Sequence, residues 1–417
     1  LSGAVGNLIE IDRHIDRHID WHLFALPVIT PSPESRGPGR DSAARRRLLL
    51  GLLLCGLAVL PYVTIWPKQF VNWDDLDNIV NNGALQRLTL LNVAYLFTHE
   101  IGANYIPLTW VSHAIDFQLY GSDAWGHGVT NAVWHAACCL LLVACLRRGG
   151  LDVAAAWLAG AIFAVHPVHV ENVAWISDRK DLLCAAALLA CQYSYMGWRQ
   201  AGGRTQYAAS LAWLVTAALC KPAAMSAWAA LWIYDVVWSQ QTWRAAAKSL
   251  WPHALVCLAA AAVAVWAQHA GSAIARPTDV RWWDWNRLSQ ALLVDLFRCW
   301  CPLPASPFLP MTLLEAIPLV AGWIAPVLLI GMTWEIWRRA STNRRGVALA
   351  WWWFGSLSFL LPVSGLVPLG HTSLADRYLY LPSIGPCVFV ANVLVHSFHV
   401  RWRLRTVVTS VVVIALA

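Results

Sequence analysis

Apolar runs close to twenty residues long recur along almost the whole chain, and no other feature restricts its fold so strongly. An α-helix needs about 20 apolar residues to cross the hydrocarbon core of a bilayer. Inside that core every backbone N–H and C=O must find its partner within the protein, which makes helices the natural spanning element for such runs. Candidate spans cover residues 48–66, 126–146, 151–167, 180–197, 206–220, 223–239, 249–269, 317–337, 347–366, 379–398 and 406–417. Composition points the same way. Of the 417 residues, 58% are hydrophobic and only 13% are charged, and 27 are tryptophan. Soluble domains rarely have that balance. The expected fold is an all-α polytopic membrane protein, a bundle of eleven transmembrane helices.

Charge orients the bundle. The formal charge of +7 lies in short clusters between apolar runs. That is a topology signal and speaks against nucleic acid as a partner. With Arg45–Arg47 inside, the inner loops also hold Arg147 and Arg148, Arg199 and Arg204, Arg244 and Lys248, Arg338, Arg339, Arg344 and Arg345, then Arg401, Arg403 and Arg405. These are 16 basic residues with almost no acid among them, whereas the outer loops hold 10 basic and 14 acidic residues. The asymmetry predicts an inside N-terminus. It also places the polar segments richest in His, Asp, Arg and Asn outside.

Residues 1–47 are expected to lie apart from the 48–417 domain, as a disordered or non-native segment. Ile11-Asp12-Arg13-His14 is copied at Ile15-Asp16-Arg17-His18, and a Pro-, Gly- and Ser-rich stretch follows to Arg40. Such a segment cannot bury a core. The spacing of His14 and His18 suits a metal on a helix, but a solvated repeat is the simpler reading. The run at 406–417 stops without a polar flank, so either a short span closes the protein or the chain is truncated. Most of the eleven cysteines fall inside apolar runs, where a thiol acts as a small hydrophobe.

The outer segments carry the candidate chemistry. The first loop, 67–125, holds Phe70-Val71-Asn72-Trp73-Asp74-Asp75-Leu76-Asp77-Asn78-Ile79, and its stretch Trp110–Tyr120 reads as an amphipathic surface helix. Adjacent carboxylates at a membrane surface act as a general base, bind a cation, or solvate a loop. His127, Asn131 and His135 recur every four residues and so share one helical face, either lining a cavity or bonding between helices. His166-Pro-Val-His169 with Glu171 departs from the His-Glu-x-x-His zinc pattern, and its proline interrupts the helix. Asp178-Arg179-Lys180-Asp181 is a self-neutralising cluster or a phosphate clamp. Lys221 sits in a short outer turn. Arg377, between Asp376 and Tyr378, suits a two-pronged grip on phosphate or carboxylate, or an interfacial anchor.

Together these segments resemble the membrane region of the TMTC proteins, the transmembrane and tetratricopeptide-repeat O-mannosyltransferases, and their bacterial relatives. The likeness lies in the Trp-Asp-Asp loop of Phe70–Ile79, the His-Pro-x-His-x-Glu-x-Val-x-Trp of His166–Trp175, Arg179–Asp181, the acidic-Arg-Tyr-x-Tyr-Leu-Pro of Asp376–Pro382, and the His127–His135 face. The resemblance implies a GT-C-type glycosyltransferase that moves a sugar, mannose first among them, from a polyprenyl-phosphate donor to an acceptor hydroxyl on protein or glycan. Transfer would take place on the non-cytosolic face, with inversion. It further implies Asp74 and Asp75 as catalytic acids and Arg377, Arg179 and Lys180 on the donor phosphate. Asn78, His127, Asn131, His135, His166, His169, Glu171, Asp181, Lys221, Asp376 and Tyr378 would line the pocket. No metal or other cofactor is required in this scheme, although a divalent ion is compatible with it. The membrane would be the inner or plasma membrane of a bacterium, or that of the endoplasmic reticulum. Two departures stand out: no 34-residue helical repeat occurs in the chain, and Asp376 stands where relatives often have Glu. A transferase of another lipid-linked sugar, a transporter or flippase, and a non-catalytic scaffold are the competing readings.

Overall fold

The computed structural model describes residues 38–63, 69–271, 285–300, 317–318, 321, 323–340, 344–360 and 375–397. The disorder expected before residue 38, the repeated His14 and His18, the Trp282–Asp284 segment, His371–Leu374 and the span at 406–417 lie outside these residues. The chain divides into two units, residues 1–48 and 49–417. In the first, residues 38–48 are helical, which corrects the disorder expected up to residue 47, and Arg45–Arg47 are exposed. The second is the helical body described below.

Every regular element among the described residues is helical. Helix α1 runs Pro38–Val63 and α2 Leu90–Thr98; α3 runs Pro107–Tyr120 and α4 Ala124–Arg148. After α5 (Val153–Ala164) come α6 (Val170–Ala174), α7 (Arg179–Ala201) and α8 (Arg204–Cys220). The chain continues through α9 (Ala227–Ile233), α10 (Trp243–Ala270), α11 (Trp285–Trp300), α12 (Ile324–Ala340), α13 (Arg344–Ser358) and α14 (Ile384–Ser397). Starts follow local chemistry. The Asp123 carboxylate caps α4 by accepting from Trp125 N, Thr89 caps α2 from Asn92 N, and Pro107 opens α3, where its missing N–H costs nothing.

The expected eleven spans need correction. Three helical segments among the described residues are long and apolar enough to cross a membrane: Ala44–Val63, Ala124–Arg148 and Trp243–Ala270. A fourth counts if Val153–Ala164 and Pro167–Ala174, bent by 52°, form one broken span. Among the described residues, the other apolar runs form shorter helices. Pro222 turns the 223–239 run into a 3₁₀ turn, the seven-residue α9 and a π turn. Helices α8, α12, α13 and α14 hold 17, 17, 15 and 14 residues. At 1.5 Å per residue the described lengths cover about 21–26 Å of a core roughly 30 Å thick. Helix α7 is long enough, but Arg179, Lys180, Asp181 and Arg199 bracket its apolar middle.

The core sits where α4, α5, α7, α8, α13 and α14 meet. Small residues let the backbones approach, including Ala155, Ala156 and Ala159 on α5 and Ala185–Ala187 on α7. Outside this core, α1 shows Leu52, Leu53 and Leu60 more than half exposed, and α10 shows Leu255 and Leu258 likewise, as surfaces facing lipid would.

Candidate functional site

The polar segments read from the sequence fold to one end of the body. They meet at the bend after α5, where Pro167 starts a 3₁₀ turn and His166 caps it, its Nδ1 accepting from Val168 N at 3.3 Å. A second short turn, Ile176–Asp178, then leads into α7. Onto this pair of turns dock the Phe70–Val80 loop, the start of α4, the Lys221 turn and the Asp376–Leu379 turn.

Helix α4 holds the turns at three heights. The buried His127 donates from Nε2 to the Gly121 carbonyl at 3.1 Å. One turn on, Asn131 donates to the carbonyls of Val173 (3.2 Å) and Trp175 (3.1 Å). A further turn along, His135 donates from Nε2 to the Ala164 carbonyl (3.1 Å) and accepts the Tyr380 hydroxyl at Nδ1 (2.7 Å). The shared face read from the sequence is thus an interhelical bonding face. Gly126 permits it, because a Cβ there would lie 2.2 Å from the Tyr120 ring. His169 is equally engaged, with Nδ1 on the Phe163 carbonyl at 2.8 Å and Nε2 2.9 Å from Ser383 Oγ.

Arg179 is fully buried, and each guanidinium nitrogen is occupied. Nε donates to Asn131 Oδ1 (2.7 Å), Nη1 to the carbonyl and Oγ of Ser112 (3.3 and 3.2 Å), and Nη2 to the His127 carbonyl (2.9 Å). Nη2 also ion-pairs with Asp116. This geometry leaves Arg179 no donor for a phosphate, which corrects the reading of that one residue as part of a clamp. It ties α3, α4 and α7 together instead. Asp116 was legible in the sequence only by its spacing, since Thr109, His113 and Asp116 share one face of α3; the structure buries all three.

The two adjacent acids part company. Asp75 is buried, and its carboxylate accepts from Val71 N (3.1 Å), Ser177 N (2.9 Å) and the Ser177 hydroxyl. Burial nevertheless pushes its pKa above the ordinary carboxylate range, against the lowering effect of those hydrogen bonds. Asp74 is exposed and has no hydrogen bond or ion pair among the described residues. Asp75 therefore fastens the loop and Asp74 faces out from it. Asp75→Asn keeps an oxygen for Ser177 but turns an amide N–H₂ toward the Val71 N–H. The expected cost is about 1–3 kcal/mol, seen as a lower unfolding midpoint of the purified protein.

Cations cluster beside this loop. Arg377 pairs with Glu171 through Nη1, and its backbone N–H donates to the same carboxylate at 2.9 Å. Its guanidinium lies 5.5 Å from the Trp175 ring centre and 5.0 Å from that of Tyr378. Lys180 lies 5.8 Å from the Trp175 ring and 4.0 Å from the buried Asp178, whose pKa is raised well above the ordinary range by burial and by nearby Asp181. Lys221 pairs with Asp181 and lies 5.6 Å from the Tyr378 ring. Asp376 pairs with Arg298 of α11, another partner that sequence spacing did not single out. Asn78 stands apart, its carbonyl bound to Asn82 and its side chain against Gly102. Among the described residues, no three His, Cys, Asp or Glu side chains come close enough to hold a metal.

No family model matches the chain. It is 30% identical to the protein O-mannosyl-transferase Tmtc2 of Drosophila melanogaster over 201 residues, 45% of this chain and 21% of the fly protein. The human protein O-mannosyl-transferase TMTC4 is 31% identical over 172 residues, covering 36% of this chain and 23% of its own. The human TMTC1 protein is 29% identical over 186 residues, 40% of this chain and 21% of its own. The chain thus spans about a fifth of the length of the curated relatives it matches. Across those matched stretches, the chain is a homologue of the TMTC-type protein O-mannosyl-transferases.

Proposed function

We propose that this chain is the membrane-embedded transferase portion of a protein O-mannosyltransferase that takes mannose from a polyprenyl-phosphate donor. The observation that carries the reading is the exposed carboxylate of Asp74 on a loop pinned beside two cations, Arg377 and Lys180. Asp74 takes the proton from an acceptor hydroxyl, on protein or glycan. That oxygen bonds to the anomeric carbon as the bond from that carbon to the phosphate oxygen breaks, in a single inverting step. The polyprenyl phosphate departs with its negative charge met by Arg377 and Lys180. Asp75, Glu171 and Arg179 hold these groups in place, while Lys221 with Asp181 and Tyr378 closes the side next to the Asp376 turn. His127, Asn131, His135, His166 and His169 frame the pocket. The scheme uses no metal or cofactor. The body sits across the membrane as a multi-pass GT-C-type bundle, its shorter helices packed against the long ones, and the site opens to the non-cytosolic side. The activity for which these relatives are named supports mannose as the sugar and protein as the acceptor.

The test is transfer of radiolabelled mannose from mannosyl-phospho-polyprenol by membranes carrying the whole chain or its Arg377→Lys variant. Lysine keeps the charge but loses the planar fork. Transfer is expected to fall about tenfold in kcat/KM, a change of roughly 1.4 kcal/mol in transition-state stabilisation. Label that enters acceptor only from a nucleotide sugar, and never from the lipid, would overturn the reading.

A further inference from the structure

The proposed reaction leaves two tryptophans of the site without a role. Trp73 and Trp175 meet edge to face, with ring centres 5.6 Å apart and planes at 80°. Trp73 is 47% exposed, a large share for an indole in a folded loop, and it immediately precedes Asp74. Trp175 lies within 5.5 Å of the Arg377 guanidinium and 5.8 Å of the Lys180 ammonium. Both rings stand on fixed backbone. The Trp175 carbonyl takes a hydrogen bond from buried Asn131, and the loop bearing Trp73 is fastened by Asp75 to Ser177, two residues beyond Trp175.

A tryptophan that merely anchors a loop at the membrane interface needs no such company. Here one ring of a right-angled pair of indoles is followed in the chain by the exposed Asp74, and the other lies within 5.8 Å of two cations. A pyranose ring has a face of C–H groups with positive edges, which suits the negative face of an indole. Its hydroxyls and an attached phosphate need polar and cationic partners, and these border the corner. Apolar walls with a few placed polar groups are the usual make-up of a small-ligand site.

We propose that Trp73 and Trp175 form a hexose-binding corner that takes the sugar ring of the lipid-linked donor. This rests on the lipid-donor reading above. Trp73, nearly half exposed, supplies the ring against which the sugar stacks, and Trp175 sets its angle and shields the cations beside the phosphate. The same chemistry would accept a hexose of a glycan acceptor, so the test separates the two sources.

The experiment compares binding of mannosyl-phospho-polyprenol and of bare polyprenyl phosphate to the purified full chain in nanodiscs, with a thermal unfolding curve for each variant. The wild-type chain is expected to prefer the mannosylated lipid by about tenfold, the scale of one aromatic stacking contact. Trp73→Ala is expected to bring that ratio close to one while leaving affinity for the bare lipid unchanged, and Trp73→Phe to keep part of it. A merely structural role would weaken both lipids together and would overturn the proposal. So would an unchanged ratio in Trp73→Ala, including the case where only the KM of a glycan acceptor rises. A wild-type chain that binds the bare lipid but shows no preference for the sugar overturns the corner alone. A wild-type chain that binds neither lipid overturns the donor reading and this proposal with it.

Discussion

Asp74→Asn is expected to lower the transfer kcat by about 10²–10⁴, the range contributed by one well-placed general base. The amide is isosteric but cannot take a proton from the acceptor hydroxyl. Because Asp74 is exposed and bonds to no other described residue, the change removes no packing. The unfolding midpoint and the donor KM should therefore stay within error of wild type. Steady-state transfer from labelled mannosyl-phospho-polyprenol, with donor varied at saturating acceptor, reads both constants. A loss smaller than tenfold would place the base elsewhere. The contrast with Asp75→Asn is the sharper control, since that change should act first on stability.

The largest effect on stability is expected at another acid of this end, Asp116. Asp116→Ala leaves the Arg179 guanidinium fully buried without its counter-ion. Breaking a buried pair from one side typically costs about 3–5 kcal/mol, because the surviving charge is stranded. Arg179→Met, which removes the charge and keeps the length, strands Asp116 instead and releases the Asn131, Ser112 and His127 groups that Arg179 binds. In the double variant neither charge remains. Its loss should fall short of the sum of the two single losses by several kcal/mol, a coupling that a double-mutant cycle of denaturation curves measures. Strict additivity would show that the two side chains do not act as a pair.

These contrasts mark where the sequence was informative. Apolar runs and basic loops revealed an all-helical body and the end at which its polar segments gather. They did not reveal where helices stop. Hydropathy responds slowly to single residues, whereas Pro167 and Pro222 each end a helix at once by removing an N–H and crowding the preceding turn. Asp74 and Asp75 could not be told apart by position, because the difference is made by Ser177, 102 residues away. The same holds for Arg179. Its neighbours Asp178 and Asp181 pointed to a local charge cluster, but its ion-pair partner is Asp116 on α3. The four-residue spacing of His127, Asn131 and His135 was legible as one face of a helix. What that face touches was not.

That column on α4 has a consequence for how such a chain can change over time. Three side chains on successive turns each grip a different segment, so they share one rotational phase. An insertion of a single residue between Asn131 and His135 would swing everything after it by about 100° and break the register with Ala164 and Tyr380 all at once. Loops that merely present a group, such as the one ending in Asp74, can lengthen or drift piecemeal. Helix α4 can only be inherited whole.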